Sequence, residues 1–199
     1  MDIIEIGVDD LPRYAAIAMR AEITSVLEPV PVGGGMGGIT LKEVPLQTPY
    51  TKDYDKDGGG PQCWVRDFDV SNWAFFLALQ DGVPVGGATV AWNTQGVNML
   101  EGSRDMGVLW DLRVCARARR QGVGTALWDR AVAWLRQRQV TLLKVETQNV
   151  NVNACAFYRA RGCELGAIHR FAYRNDPKVA HETMLLWYLP ILPLDGPTD

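Results

Sequence analysis

Apolar residues recur along this 199-residue chain in two rhythms, and each rhythm predicts a different kind of element. Met106 to Cys115 (MGVLWDLRVC) is dense in branched and aliphatic side chains and reads as a mostly buried strand. Beyond a short polar break, Val123, Leu127, Ala131, Trp134 and Leu135 fall at helical spacing, predicting a helix through Arg138. Thr141 to Thr147 (TLLKVET) is again strand-like, and a second helical run follows from Asn151. At the N-terminus, Ile3 to Gly7 predicts a short strand, and Asp9 or Asp10 caps a helix from about Leu11 to Arg20. Trp73 to Leu79 and Val85 to Trp92 form a strand pair joined through Asp81-Gly82, a hairpin signal. Between Ile23 and Gly60 both rhythms lapse; the stretch reads as a long loop with one short strand at Ile39 to Val44. Two further strands close the pattern, which is that of a mixed α/β sheet.

Composition narrows the class. With 47% hydrophobic and 22% charged residues, the chain suffices for one domain with a full core, residues 1–189, followed by a proline-containing surface tail at 190–199. A net charge of −3 argues against broad nucleic-acid binding. No secretory pattern opens the chain and no apolar run reaches the ~20 residues of a membrane span, so the expected location is the cytoplasm. Cys63, Cys115, Cys155 and Cys163 show no metal-site spacing and read as reduced core residues, with no metal expected. Asp53-x-Asp55-x-Asp57-Gly58 copies the start of a calcium loop, but Pro61 interrupts it and Trp64 stands where a bidentate glutamate belongs. A solvated loop or an electrostatic attractor for a cation remains.

The candidate chemistry begins at Arg119-Arg120-Gln121-Gly122-Val123-Gly124-Thr125, between the buried strand and the long helix. Glycines two apart at a helix start leave backbone amides open to an anion, and the helix dipole favours negative charge there. A tight strand-to-helix turn is the plainer alternative. The run lacks the third glycine of a dinucleotide fingerprint and the Lys-Ser/Thr end of a nucleotide P-loop. Arg113, Arg117, Arg119 and Arg120 crowd around it, which suits a ligand with several phosphates.

Together with Asn151-x-x-Ala154-x-x-x-Tyr158-x-x-x-Gly162, this run resembles the cofactor half of the GNAT superfamily of N-acetyltransferases, with Arg119, Gly122 and Gly124 matching its first motif. Cys163 departs from the pattern, where the family usually has an aromatic residue. Within the superfamily the chain is most similar to the streptothricin acetyltransferases, through Leu41 to Pro45, Val145 to Asn149, Gly166 to Tyr173 and Leu186 to Leu189. The resemblance implies a mostly antiparallel twisted sheet of six or seven strands with splayed central strands, flanked by helices. It implies acetyl-CoA as co-substrate and a small amine as acceptor. Leu112, Arg113 and Val114 then run beside the pantetheine arm, while Arg119 to Thr125, Asn151, Ala154, Phe157, Tyr158 and Arg161 contact the cofactor.

Acetyl transfer to nitrogen requires a polarised thioester, a protonated leaving thiolate and a deprotonated amine. A bulge in the Trp110 to Cys115 strand would free a backbone donor for the carbonyl. Tyr158 occupies the family's acid position; a core tyrosine is the alternative. Asp111 and Glu146 are the candidate bases, with Glu43 and the loop aspartates weaker and His169 and His181 weaker still. Alternation does not by itself decide which face Asp111 takes. Trp64, Trp92 and Trp110 are candidates for an aromatic wall around a cation. The expected reaction is direct attack of a primary amine on acetyl-CoA. Streptothricin leads as acceptor, with another amine or a non-catalytic CoA sensor as alternatives. The family resemblance also brings a homodimer into view, although no residue sets the subunit number.

Overall fold

The computed structural model describes residues 1–58 and 60–191. In chain order its elements are β1 (Asp2–Ile6), α1 (Leu11–Ala15), β2 (Arg20–Pro31), β3 (Ile39–Asp53), α2 (Tyr54–Gly58), α3 (Pro61–Asp67), β4 (Ala74–Gln80), β5 (Val83–Trp92), β6 (Met106–Val114), α4 (Val123–Arg136), β7 (Leu142–Gln148), α5 (Val152–Ala160), β8 (Glu164–His169) and β9 (Met184–Pro190). The main sheet has seven strands in the order β1-β4-β5-β6-β7-β9-β8, and β2 and β3 form a separate two-stranded sheet. The pairs β1/β4, β4/β5, β5/β6 and β8/β9 are antiparallel. The mixed, mostly antiparallel sheet flanked by helices agrees with the architecture expected from sequence.

The chain divides into two compact units, the first comprising residues 1–20, 53–144 and 190 onward. In this unit β4 is apolar from Ala74 to Leu79 because both its faces are covered there. Phe75 and Leu77 join Leu11, Tyr14, Ile17, Trp64, Trp73 and Val108 in one cluster. On the other side α4 buries Val123, Leu127, Ala131 and Leu135 at the spacing read from sequence. Asp81 and Gly82 both take positive φ and close the expected hairpin between β4 and β5.

The second unit holds residues 21–52 and 145–189. Here the structure corrects the expectation of a long loop, because most of the stretch is the β2/β3 hairpin. Its residues alternate between exposed and half-buried, and only Ile23 and Lys52 are buried. With so little covered surface, apolar alternation is confined to short pieces such as Ile39/Leu41, within the one strand expected from sequence, and lapses over the rest of the ribbon. The helix expected to reach Arg20 stops at Ala15. Tertiary bonds override the helix-forming alanines beyond it: Met19 N donates to Asp55 Oδ2 at 2.9 Å, and Tyr54 N donates to Met19 O at 3.0 Å. The tail expected at 190–199 lies, beyond Ile191, outside the described residues.

Candidate active site

One irregularity in β6 decides what its side chains face. Thr89 pairs with Asp111 and the next residue of β5, Val90, pairs with Leu109, so Trp110 is an extra residue without a partner. This is a β-bulge, in the strand where the family resemblance implied one. Before it, Val108 and Trp110 pack with the α1/α3 cluster, while Gly107 abuts Leu135 of α4. After it the alternation is inverted, and Asp111, Arg113 and Cys115 also point to the α1 side.

Asp111 is consequently drawn into a buried cluster. Its Oδ1 accepts from Tyr14 Oη at 2.7 Å and from Arg113 Nε at 2.8 Å, and its Oδ2 accepts from Arg113 Nη2 at 2.7 Å. Arg113 also donates to Ile17 O at 2.8 Å and pairs with Asp55 at 3.0 Å. Burial, then the Asp111 charge, raise the Tyr14 phenol well above its ordinary pKa. Burial works against the Arg113 cation, but hydrogen bonding and charge from Asp111 outweigh it and raise its pKa. Gly87 makes room for this cluster, since a Cβ there would lie 2.4 Å from the Tyr14 ring. The Arg113 side chain therefore points inward and is spent on carboxylates, which corrects its expected place among the phosphate-side arginines.

The loop before α4 matches the anion-site pattern. Gly122 is the N-cap, with φ 83° and ψ −4°, and no side chain caps the helix. The first helical bond runs from Ala126 N to Gly122 O at 3.0 Å, leaving the amides of Val123, Gly124 and Thr125 outside the ladder. Arg120 also takes positive φ, at 63°. Arg119 and Gln121 brace the loop: Arg119 Nε donates to Val114 O at 3.1 Å, its Nη2 donates to Arg20 O, and Gln121 Nε2 donates to Arg117 O at 2.8 Å. Arg117 and Arg120 stay exposed beside the open amides. Open amides, an uncapped helix and two exposed cations fit a diphosphate.

In the second unit, strand alternation puts Val145 and Thr147 on the buried face of β7 and Glu146 and Gln148 on the other, with buried Asn149 in the turn just beyond. Thr147 Oγ1 accepts from Trp187 Nε1 at 2.9 Å and meets Cys155 Sγ of α5 at 3.3 Å. Asn151 caps α5 by accepting from Ala154 N at 3.2 Å. Tyr158, one turn beyond Cys155, is buried. The Arg161 guanidinium lies 5.8 Å from the Phe157 ring centroid, and its Nε is buried without a hydrogen-bond partner. On the opposite face of β7, Glu146 Oε1 accepts from Tyr173 Oη at 2.6 Å, and Tyr173 Oη accepts from Gln148 Nε2 at 3.2 Å. Asn149 secures this arrangement, bonding Thr183 N at 2.7 Å and Leu27 O at 3.0 Å. Tyr173 escaped sequence reasoning as a site residue because it sits in the turns of residues 170–183. The two-residue spacing of Glu146 and Gln148 was the available sign that they share a face.

Other expected candidates are placed elsewhere. Trp64 and Trp110 pack in the aromatic cluster with Trp73, whereas Trp92 packs edge-on against Trp134, so the three form no common wall. Asp53 pairs with Arg20 at 2.8 Å and Asp55 with Arg113, which uses these carboxylates within the fold. The Asp57 side chain lies outside the described residues. Glu43 is exposed and accepts from Ser25 Oγ at 2.6 Å, and His169 and His181 are exposed. No group of three metal-ligating side chains occurs among the described residues.

The GNAT acetyltransferase family model matches residues 43–163. The chain belongs to the GNAT family and is an acetyl-CoA-dependent N-acetyltransferase. Among its relatives, it is 31% identical to streptothricin acetyltransferase A of Bacillus subtilis (strain 168), over 75% of this chain and 78% of that protein. It is likewise 31% identical to a streptothricin acetyltransferase of Escherichia coli, over 71% of each. Two solved structures share the fold: a nourseothricin acetyltransferase, at TM-score 0.75 and 24% identity over 96% of this chain and 98% of that one, and a Bacillus anthracis str. Ames protein in complex with acetyl coenzyme A, at 0.74 and 22% over 95% and 98%.

Proposed function

We propose that this enzyme acetylates a primary amine of a small polycationic molecule of the streptothricin kind, by direct attack on the thioester. The observation that carries the acceptor is the 31% identity to a streptothricin acetyltransferase across three quarters of the chain. The open amides of Val123 to Thr125, with Gly122 and Gly124, take the diphosphate, aided by Arg119, Arg120 and Gln121. Leu112 and Val114 offer main-chain bonds to the pantetheine arm, and Asn151, Ala154, Phe157 and Arg161 complete the cofactor contacts. The unpartnered Arg161 Nε supports that assignment. Tyr158 donates its phenolic proton to the departing thiolate. Glu146 receives the proton of the attacking ammonium. Glu146 is preferred to Asp111 because the Asp111 oxygens are occupied by Tyr14 and Arg113.

Neither compact unit carries the whole family pattern, since the Arg119 to Thr125 loop falls in one and Asn151 to Tyr158 in the other. This supports residues 1–189 acting as one acetyltransferase domain. No described helix is long and apolar enough to cross a membrane. A cytoplasmic homodimer completes the proposal, checked by light scattering on purified protein. The acceptor is tested by thiol release with a panel of amines including streptothricin. Preference for streptothricin is the expected result; preference for a monoamine or a peptide N-terminus reassigns the acceptor. Tyr158→Phe is expected to lower kcat by about 10²-fold, and near-unchanged turnover removes the acid role.

A further inference from the structure

We propose that Tyr173 is the positioning residue for Glu146, and that Gln148 sets the direction in which the phenol donates. The inference rests on the reading of Glu146 as the group that receives the amine's proton. The Gln148 side-chain amide supplies an N–H to the phenol oxygen, so the phenol hydrogen is left to point along the 2.6 Å contact to Glu146 Oε1. The chain Gln148→Tyr173→Glu146 thus has one polarity. The donor that fixes Oε1 is a neutral phenol, so this contact orients the carboxylate without neutralising it. A carboxylate that must attract and deprotonate an ammonium benefits from being fixed in this way.

The surroundings keep the phenol a donor. Burial first, then the charge of Glu146 and more distantly of Glu182, push the Tyr173 pKa well above its ordinary value. Tyr173 is carried on turns, with Asp176 N donating to Tyr173 O at 2.9 Å, and the run ends where Thr183 N meets Asn149 Oδ1 at the end of β7. The strand that bears Glu146 therefore also anchors the segment that bears Tyr173.

A double-mutant cycle tests the assignment, using Tyr173→Phe, Glu146→Gln and both together in the full chain, with native circular dichroism required of each. Tyr173→Phe is expected to lower kcat/KM for the amine about tenfold, the scale of one hydrogen bond to a charged group, with the KM for acetyl-CoA unchanged. In the Glu146→Gln background the same change is expected to cost less than about twofold, because its target is already gone. Gln148→Leu is expected to fall between wild type and Tyr173→Phe. Additive losses, or a silent Tyr173→Phe beside an impaired Glu146→Gln, overturn the positioning role alone. A fully active Glu146→Gln overturns the reading of Glu146 on which it rests.

Discussion

Asp111 and Glu146 are both acidic residues on central strands, yet the structure gives them opposite company. Asp111 is held by a guanidinium and a buried phenol, which makes it a fastener between β6 and α1. Removing its charge leaves Arg113 with Asp55 as its remaining carboxylate, and losing one partner of a buried pair costs up to about 3–5 kcal/mol. Asp111→Asn is accordingly expected to lower the free energy of unfolding by up to that much, read as a lower urea midpoint and visible without any substrate. Cys163 makes a different prediction. Burial pushes its thiol up to about 11 from 9.0, so the folded state prefers the neutral form. That contribution is complete below pH 9 and is lost as pH rises toward 11. Across that window wild type should lose stability more steeply than Cys163→Ala, and parallel urea-denaturation curves would refute it. Of these residues, Cys163 was legible as a buried thiol. The side taken by Asp111 was not, because a bulge is a property of two paired strands and leaves no mark in the residues of one.

Among the elements, α4 was the most legible, since helical spacing and the Gly122-Val123-Gly124 start agree with each other. The uncapped first turn follows directly from those residues. A Cβ at Gly122 would meet no atom within 4 Å, but φ of 83° is a conformation that side chains rarely adopt. Gly122→Ala should therefore cost about 1–2 kcal/mol of stability and weaken acetyl-CoA binding modestly. Gly122→Asp adds a negative charge beside the diphosphate and should weaken binding at least about tenfold more, as read by calorimetry. Equal affinities for the two variants would move the diphosphate elsewhere. Most of the β2/β3 hairpin was illegible for the converse reason: a ribbon only half-buried on one face carries an interrupted apolar stripe, of which only Ile39 to Val44 was readable.

Over the whole molecule, charge is the property that composition reports well and placement badly. The net value of −3 is modest, and the conspicuous Asp53 and Asp55 are used on Arg20 and Arg113. The carboxylate proposed to meet the acceptor, Glu146, sits in a strand whose sequence drew less notice. A polycationic acceptor drawn to an acidic site should bind less well as salt rises, within the ~8–10 Å screening length near physiological ionic strength. The expected outcome is a kcat/KM that, at saturating acetyl-CoA, falls more steeply from about 20 mM to about 300 mM salt for a polyamine acceptor than for a monoamine. A salt-independent polyamine profile would show that attraction contributes nothing to capture.

The unpartnered Trp110 has a practical corollary for anyone altering β6. Odd and even positions exchange layers at that point, so a mutagenesis library laid out on simple every-other-residue parity would introduce polar groups into the aromatic interior on one side of it. Excising that single position would straighten the ribbon, put Asp111 directly after Leu109 and so keep Asp111 and Arg113 on the α1 side, with the Trp110 ring lost from the aromatic cluster.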